Sequence, residues 1–170
     1  MDPGVKPRIF LFYGEKMSLE TSQRQGGSTS RPSWDEYFLE IAEAVSARAD
    51  CSRRKVGAVI VSSDRRIVGT GYNGAPAGQP GCLSGACPRA RSNSTPGRDY
   101  SNCIAVHAEA NALLYSDWTA RQGGTMYINQ PPCTECTKLI LGSGLGRVVF
   151  KEGDGTVGVW DLTRDASQSS

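Results

Sequence analysis

Residue 107 is the single histidine in a chain of 170 residues, and it stands in the segment His107-Ala108-Glu109, upstream of Pro132-Cys133-Thr134-Glu135-Cys136. One imidazole and two thiols spaced C-x-x-C make a donor set that zinc accepts in a tetrahedron with one position left open. Any fold that uses this set must carry residue 107 to within a few ångströms of residues 133 and 136. Six cysteines could instead form a disulfide framework. The chain carries no export signal, so metal ligation is the better reading of the C-x-x-C pair.

The residue types in this pattern suit a hydrolytic reaction. A zinc held by two thiolates and an imidazole brings the pKa of a bound water toward ~7. Cys133, at the expected start of a helix, gains thiolate character from the helix dipole. A carboxylate two residues from the histidine can reach the water without ligating the metal. Glu109 is therefore the candidate catalytic acid and base, with His107, Cys133 and Cys136 as the metal ligands. An isolated C-x-x-C would fit a redox pair or a structural zinc equally well. Together with His-x-Glu and the preceding proline it matches the H-x-E…P-C-x-x-C signature of zinc deaminases, which act on an amidine-like ring carbon.

Composition narrows the class further. The length suits one domain with a real core, and the 38% hydrophobic and 21% charged shares are ordinary for a soluble protein. A net charge of +2 gives no reason to expect a nucleic-acid or membrane partner. The early apolar run Ile9 to Tyr13 is far below the ~20 residues of a membrane span and lacks the pattern of a signal peptide. A cytoplasmic location is expected, or the host cytoplasm for a phage-encoded chain.

Residues 1–32 form an expected leader, because the Ser, Thr, Gln, Gly and Arg content of residues 15–32 cannot bury enough apolar surface to order itself. Met17 could be the start residue, or Ile9 to Tyr13 could pair as an edge strand. Order is expected from Ser33, with Glu36 as its reciprocal partner in a capping box. Trp34, Tyr37, Phe38, Ile41, Ala42 and Val45 recur at helical spacing to about Ala49. Val56 to Val61 and Arg66 to Tyr72 read as a hairpin around Ser63-Asp64, and residues 74–97 as a long loop. A helix from His107 to about Ser116, a strand at Thr125 to Asn129, a helix opening at Cys133 and a strand at Arg147 to Phe150 follow. The expectation is an α/β domain over residues 33–151, with helices on both faces of one mixed sheet of about five strands. Residues 152–170 are expected as a polar tail in which only Val157 to Leu162 could add an element.

Trp34 to Phe38, Cys51 with Val56-Gly57-Ala58-Val59-Ile60-Val61, Gly71-Tyr72-Asn73-Gly74-Ala75-Pro76 and Val106-His107-Ala108-Glu109 closely resemble the deoxycytidylate (dCMP) deaminases of bacteria and phages, over residues 34 to about 151. The resemblance implies a three-layer α/β/α cytidine-deaminase-like fold and hydrolysis of dCMP to dUMP for thymidylate synthesis. It also implies dCTP and dTTP as effectors near residues 71–78, and a homo-oligomer, with a hexamer favoured. By position, Asn73 resembles a residue that hydrogen-bonds the nucleoside and Arg53 one that meets the 5′-phosphate, for which a guanidinium fork is suited. Either could instead be ordinary, Arg53 a solvated cation and Asn73 a turn residue before Gly74. Asn129 departs from the threonine common in the family. A 5-substituted dCMP, dCTP, cytidine or a tRNA adenosine therefore stays open as substrate, and a non-catalytic zinc module is the alternative of another class.

Some members of that family carry a second zinc, and Cys51 and Cys82 resemble its ligands. With no spare imidazole in the chain, Cys51, Cys82, Cys87 and Cys103 would form it as a closed, structural four-thiolate site. Free buried thiols or a Cys82–Cys87 disulfide are the other readings of these cysteines.

Overall fold

The computed structural model describes residues 30–92, 100 and 102–163. The expectations for the leader up to residue 29, with Met17 and Ile9 to Tyr13, and for residues 93–97 and 164–170 lie outside the described residues. The first helix, α1 (Trp34–Ser46), begins as its sequence predicts. The Ser33 hydroxyl accepts from the Glu36 N–H at 3.2 Å, and the Ser33 N–H donates to the Glu36 carboxylate at 2.7 Å. It ends three residues earlier than the apolar spacing suggests, where Ala47 caps the helix and Ala49 turns back onto the Ser46 carbonyl.

Strands β1 (Gly57–Val61) and β2 (Ile67–Tyr72) form the expected antiparallel hairpin. β3 (Thr125–Ile128), β4 (Arg147–Lys151) and β5 (Val157–Asp161) complete a five-stranded sheet in the order β2-β1-β3-β4-β5. Only β3 and β4 run parallel, so the sheet is mixed as expected. The parallel pair requires a crossover, supplied by the helix at Thr134–Leu141.

The boundary expected at residue 151 is corrected. β5 pairs with β4 from Arg147↔Asp161 to Lys151↔Val157, and Trp160 packs edge-on against Phe150 at 5.1 Å between ring centroids. The Gly-rich stretch after Lys151 is the turn of a hairpin, closed by Glu152 donating to the Thr156 carbonyl. Residues 157–161 therefore belong to the folded domain rather than to a tail.

Because side chains alternate across a strand, the sheet carries a core on each face. On one face Val59, Val61, Tyr127 and Val149 pack against Phe38, Leu39 and Ala42 of α1. On the other, Ile60, Met126, Ile128, Val148 and Phe150 pack against Ala108, Ala112 and Ile140. Burying side chains of this size stabilises by about 1.5–3 kcal/mol each. The result is the expected three-layer arrangement.

Two glycines set how closely the layers meet. A side chain at Gly57 would run into the Ala42 carbonyl and the Ser46 amide of α1, and one at Gly71 into the Ala108 carbonyl and the Ala112 amide of the helix on the opposite face. Both helices thus sit almost on the backbone of the hairpin.

Candidate active site

The two ligand-bearing segments reach the same place by different routes. His107 is the N-cap of α3 (Ala108–Leu114) and Cys133 the N-cap of α5 (Thr134–Leu141), while Cys136 lies in the first turns of α5 and is buried. α3 is held on the hairpin by the Gly71 contact and by Asn111, whose amide donates to the Tyr72 carbonyl at 2.8 Å. The segment just before it is tied by a two-way backbone bridge between Gly74 and Val106. α5 follows directly from β3, next to β1 in the sheet.

The His107 Nδ1 atom lies 3.3 Å from the sulfur of Cys133 and 3.3 Å from that of Cys136. The three donor atoms all fall within 4.8 Å of one another, and no other group of three or more such ligands occurs among the described residues. Glu109, in the first turn of α3, is 4% exposed and lines the same cleft. Burial pushes the Cys136 thiol far up, and the negative charges of Glu109 and Cys133 beside it push it further. Two thiols, an imidazole and a buried carboxylate gathered in one cleft form a donor set whose chemistry zinc fits.

The cleft extends from this cluster past Asn73, Arg53, Arg54, Arg89 and Tyr100. Arg53 is there as expected, its Nη1 donating to the Arg89 carbonyl at 3.2 Å. Asn73 also lines the cleft, but its side chain has a second task. Its Oδ1 accepts the Val56 N–H at 2.8 Å and its Nδ2 donates to the Arg54 carbonyl at 2.9 Å, holding the chain that leads into β1.

Asn129, flagged by sequence as a departure, is buried. It accepts from the Gly57 N–H at 2.9 Å and donates to Glu43 and to the Lys55 carbonyl. It therefore joins the end of β3 to β1 and α1, next to the loop that delivers Cys133.

The four remaining cysteines do not assemble as expected. Cys87 and Cys103 meet: burial raises the Cys87 thiol, but N–H groups of Ile104, Ala90 and Arg89 outweigh it and hold the thiol below its usual value, while burial raises Cys103. Cys82 is turned elsewhere, its sulfur 3.5 Å from the Ser52 N–H and 3.4 Å from the Ser52 hydroxyl. Cys51 lies on the cleft wall. All four are free thiols, so the Cys82–Cys87 disulfide is not formed. No three of these four sulfurs are gathered among the described residues.

Two residues of the cleft escaped the sequence reading. Tyr100 stands edge-on to His107 with ring centroids 4.8 Å apart, and the Arg89 guanidinium lies over the other part of the column, 4.3 Å from the Tyr100 centroid. Arg89 lies on α2 (Pro88–Arg91), a single helical turn inside the stretch expected as loop, where proline at the first position favours a helix start. The remaining short helix, α4 (Trp118–Arg121), was also unexpected; the Asp117 carboxylate caps it by accepting from Ala120. No helix among the described residues is long and apolar enough to cross a membrane.

Residues 32–152 match the profile of the cytidine and deoxycytidylate deaminase zinc-binding region. A deoxycytidylate deaminase of Mycobacterium phage D29 is 57% identical over 126 residues, covering 71% of this chain and 96% of the phage protein. The deoxycytidylate deaminase of Saccharomyces cerevisiae is 37% identical over 135 residues, 79% of this chain but 42% of that longer one. Among solved structures, a dCMP deaminase of cyanophage S-TIM5 in complex with dCMP and dUMP superposes with a TM-score of 0.57 at 27% identity, covering 72% of this chain and 84% of that one.

Proposed function

The chain belongs to the cytidine and deoxycytidylate deaminase zinc-binding family, and from that premise we propose that it hydrolyses dCMP to dUMP and ammonia, a supply of the thymidylate precursor. One observation carries the reading: the buried Glu109 carboxylate and the His107, Cys133 and Cys136 donors share the end of a cleft that Arg53 and Asn73 also line. The phage relative, similar over nearly its whole length, bears the same activity in its name.

His107 Nδ1 and the sulfurs of Cys133 and Cys136 would hold zinc, which when bound acts as a Lewis acid and makes water a nucleophile at neutral pH. Glu109 does the proton work: its carboxylate takes a proton from the attacking water, passes it to N3 of the cytosine ring, and serves the amine as it departs. Burial of Glu109 keeps bulk water from competing for that proton. The Arg53 fork meets the 5′-phosphate, and Asn73 offers the nucleoside the hydrogen-bonding capacity left after its two backbone contacts.

Assembly as a homo-oligomer, with a hexamer favoured, is supported by Leu114, Tyr115 and Trp118, which stand exposed close together in sequence; dCTP and dTTP are the expected effectors. A second, structural zinc would start from the adjacent Cys87 and Cys103 and would need Cys51 and Cys82 to close on them. Elemental analysis separates the cases, since a content near one zinc per chain removes the second site.

The function is tested by following ammonia release from dCMP, dCTP and cytidine with the zinc-loaded protein. Turnover of dCMP well above the other two is expected. Preference for either competitor would reassign the substrate.

A further inference from the structure

Arg89 has no part in the chemistry above, yet it is 7% exposed and lines the reacting cleft. It stands on the single-turn helix α2, at the cleft wall.

Three arrangements on the page point the same way. The guanidinium carbon lies over the Tyr100 ring, 4.3 Å from its centroid, a cation–π contact that holds the side chain at the cleft wall. The Arg89 carbonyl accepts from Arg53 Nη1 at 3.2 Å, so the two arginines are tied together. The cleft's lining includes Arg53, Arg54 and Arg89 but, among the described residues, a single carboxylate, that of Glu109. A lining with three guanidiniums beside one buried carboxylate suits a ligand that joins an uncharged reacting ring to an anionic group.

We propose that Arg89 is a specificity-determining residue of this site: with Arg53 it binds the 5′-phosphate of the nucleotide, while Tyr100, held between Arg89 and His107, forms a flat wall beside the sugar and base. The assignment rests on reading the cleft as a cytosine-nucleotide site. Arg89 then distinguishes nucleotide from nucleoside, and the Tyr100 stack makes arginine rather than lysine the suitable cation, because an ammonium offers neither the planar face nor the fork.

The test compares wild type with Arg89→Met and Arg89→Lys, all zinc-loaded and confirmed folded by thermal melting, on dCMP and on deoxycytidine. Binding of dUMP and of deoxyuridine is measured alongside by calorimetry. A lost charge-assisted contact should raise KM for dCMP about 30-fold in Arg89→Met and weaken dUMP binding by a similar factor. The kcat for dCMP, the kcat/KM for deoxycytidine and the affinity for deoxyuridine should stay within threefold. Arg89→Lys should fall between, with a loss near tenfold. Equal losses on nucleotide and nucleoside would show a purely structural residue and overturn the assignment, as would unchanged dCMP kinetics. A wild type that neither deaminates dCMP nor binds dUMP would instead overturn the substrate reading beneath it. Should Arg89→Met fail to fold, Arg89→Lys decides alone, since an unaltered dUMP affinity in that variant excludes a forked contact.

Discussion

Asn73 accepts the Val56 N–H at 2.8 Å across seventeen residues of chain. The residue proposed to meet the nucleoside is thus also the clamp that sets the entry to β1, and the two roles separate by substitution. Asn73→Ala leaves the partly buried Val56 N–H and Arg54 carbonyl without this partner, a loss of about 0.5–1.5 kcal/mol for each bond. Urea unfolding should show it as a lower midpoint with an unchanged slope, accompanied by a raised KM. A variant of wild-type stability would remove the clamp from the account.

Glu109→Gln keeps the shape of the side chain and removes the proton acceptor. The kcat should fall by about 10²–10⁴-fold, while zinc content stays at the wild-type level because Glu109 is not a ligand. Full activity in this variant would contradict the proton path assigned to it.

Metal removal should act on both activity and stability. The donor atoms of His107, Cys133 and Cys136 lie within 4.8 Å of one another, so a chelator should abolish turnover and lower the melting temperature, with zinc restoring both. His107→Ala should lose turnover and weaken zinc retention at this site, read by elemental analysis after dialysis.

The Asp35 carboxylate binds Arg147 through both oxygens, at 2.8 and 2.7 Å, and accepts from the Tyr127 hydroxyl at 2.9 Å. Hydrogen bonding to Arg147 holds Asp35 below its ordinary value against the opposing effect of burial. A depressed carboxylate adds stability that is present above its unfolded pKa near 3.8 and is lost as pH falls through the folded value. Half-exposure keeps the contribution to about 1 kcal/mol or less. Asp35→Asn should therefore flatten the acid side of the stability profile below pH 4.

Tyr127 shows the opposite limb. Burial first, then its bond to Asp35, pushes the phenol up to about 12. A raised phenol contributes stability that is complete below pH 10 and lost as pH rises toward 12. Ultraviolet titration should reveal one tyrosine ionising about two units above the ordinary value, absent in Tyr127→Phe.

Much of this was legible in the chain because the relevant signals are local. The Ser33 and Glu36 capping pair, the β-branched run at Val56 to Val61 and the two short motifs His107-Ala108-Glu109 and Cys133-x-x-Cys136 are each written within a few residues. What escaped depends on partners far along the chain. Asn73 before Gly74 has the pattern of a turn, and its amide is used at Val56 and Arg54 instead. β5 follows a Gly-rich segment that looks like a tail, and only β4 beside it makes it a strand. Arg89 and Tyr100 carry no motif; a stacking column on His107 exists only after two loops have closed on each other.

The ligands come from two helices that rest on different parts of the sheet, α3 on the β1–β2 hairpin and α5 on the crossover after β3. Neither half holds three donors alone. His107 meets Cys133 and Cys136 where β3 is registered against β1, a pairing of residues far apart in the chain. Retention of metal by the protein therefore reports that its most distant strand pair has closed.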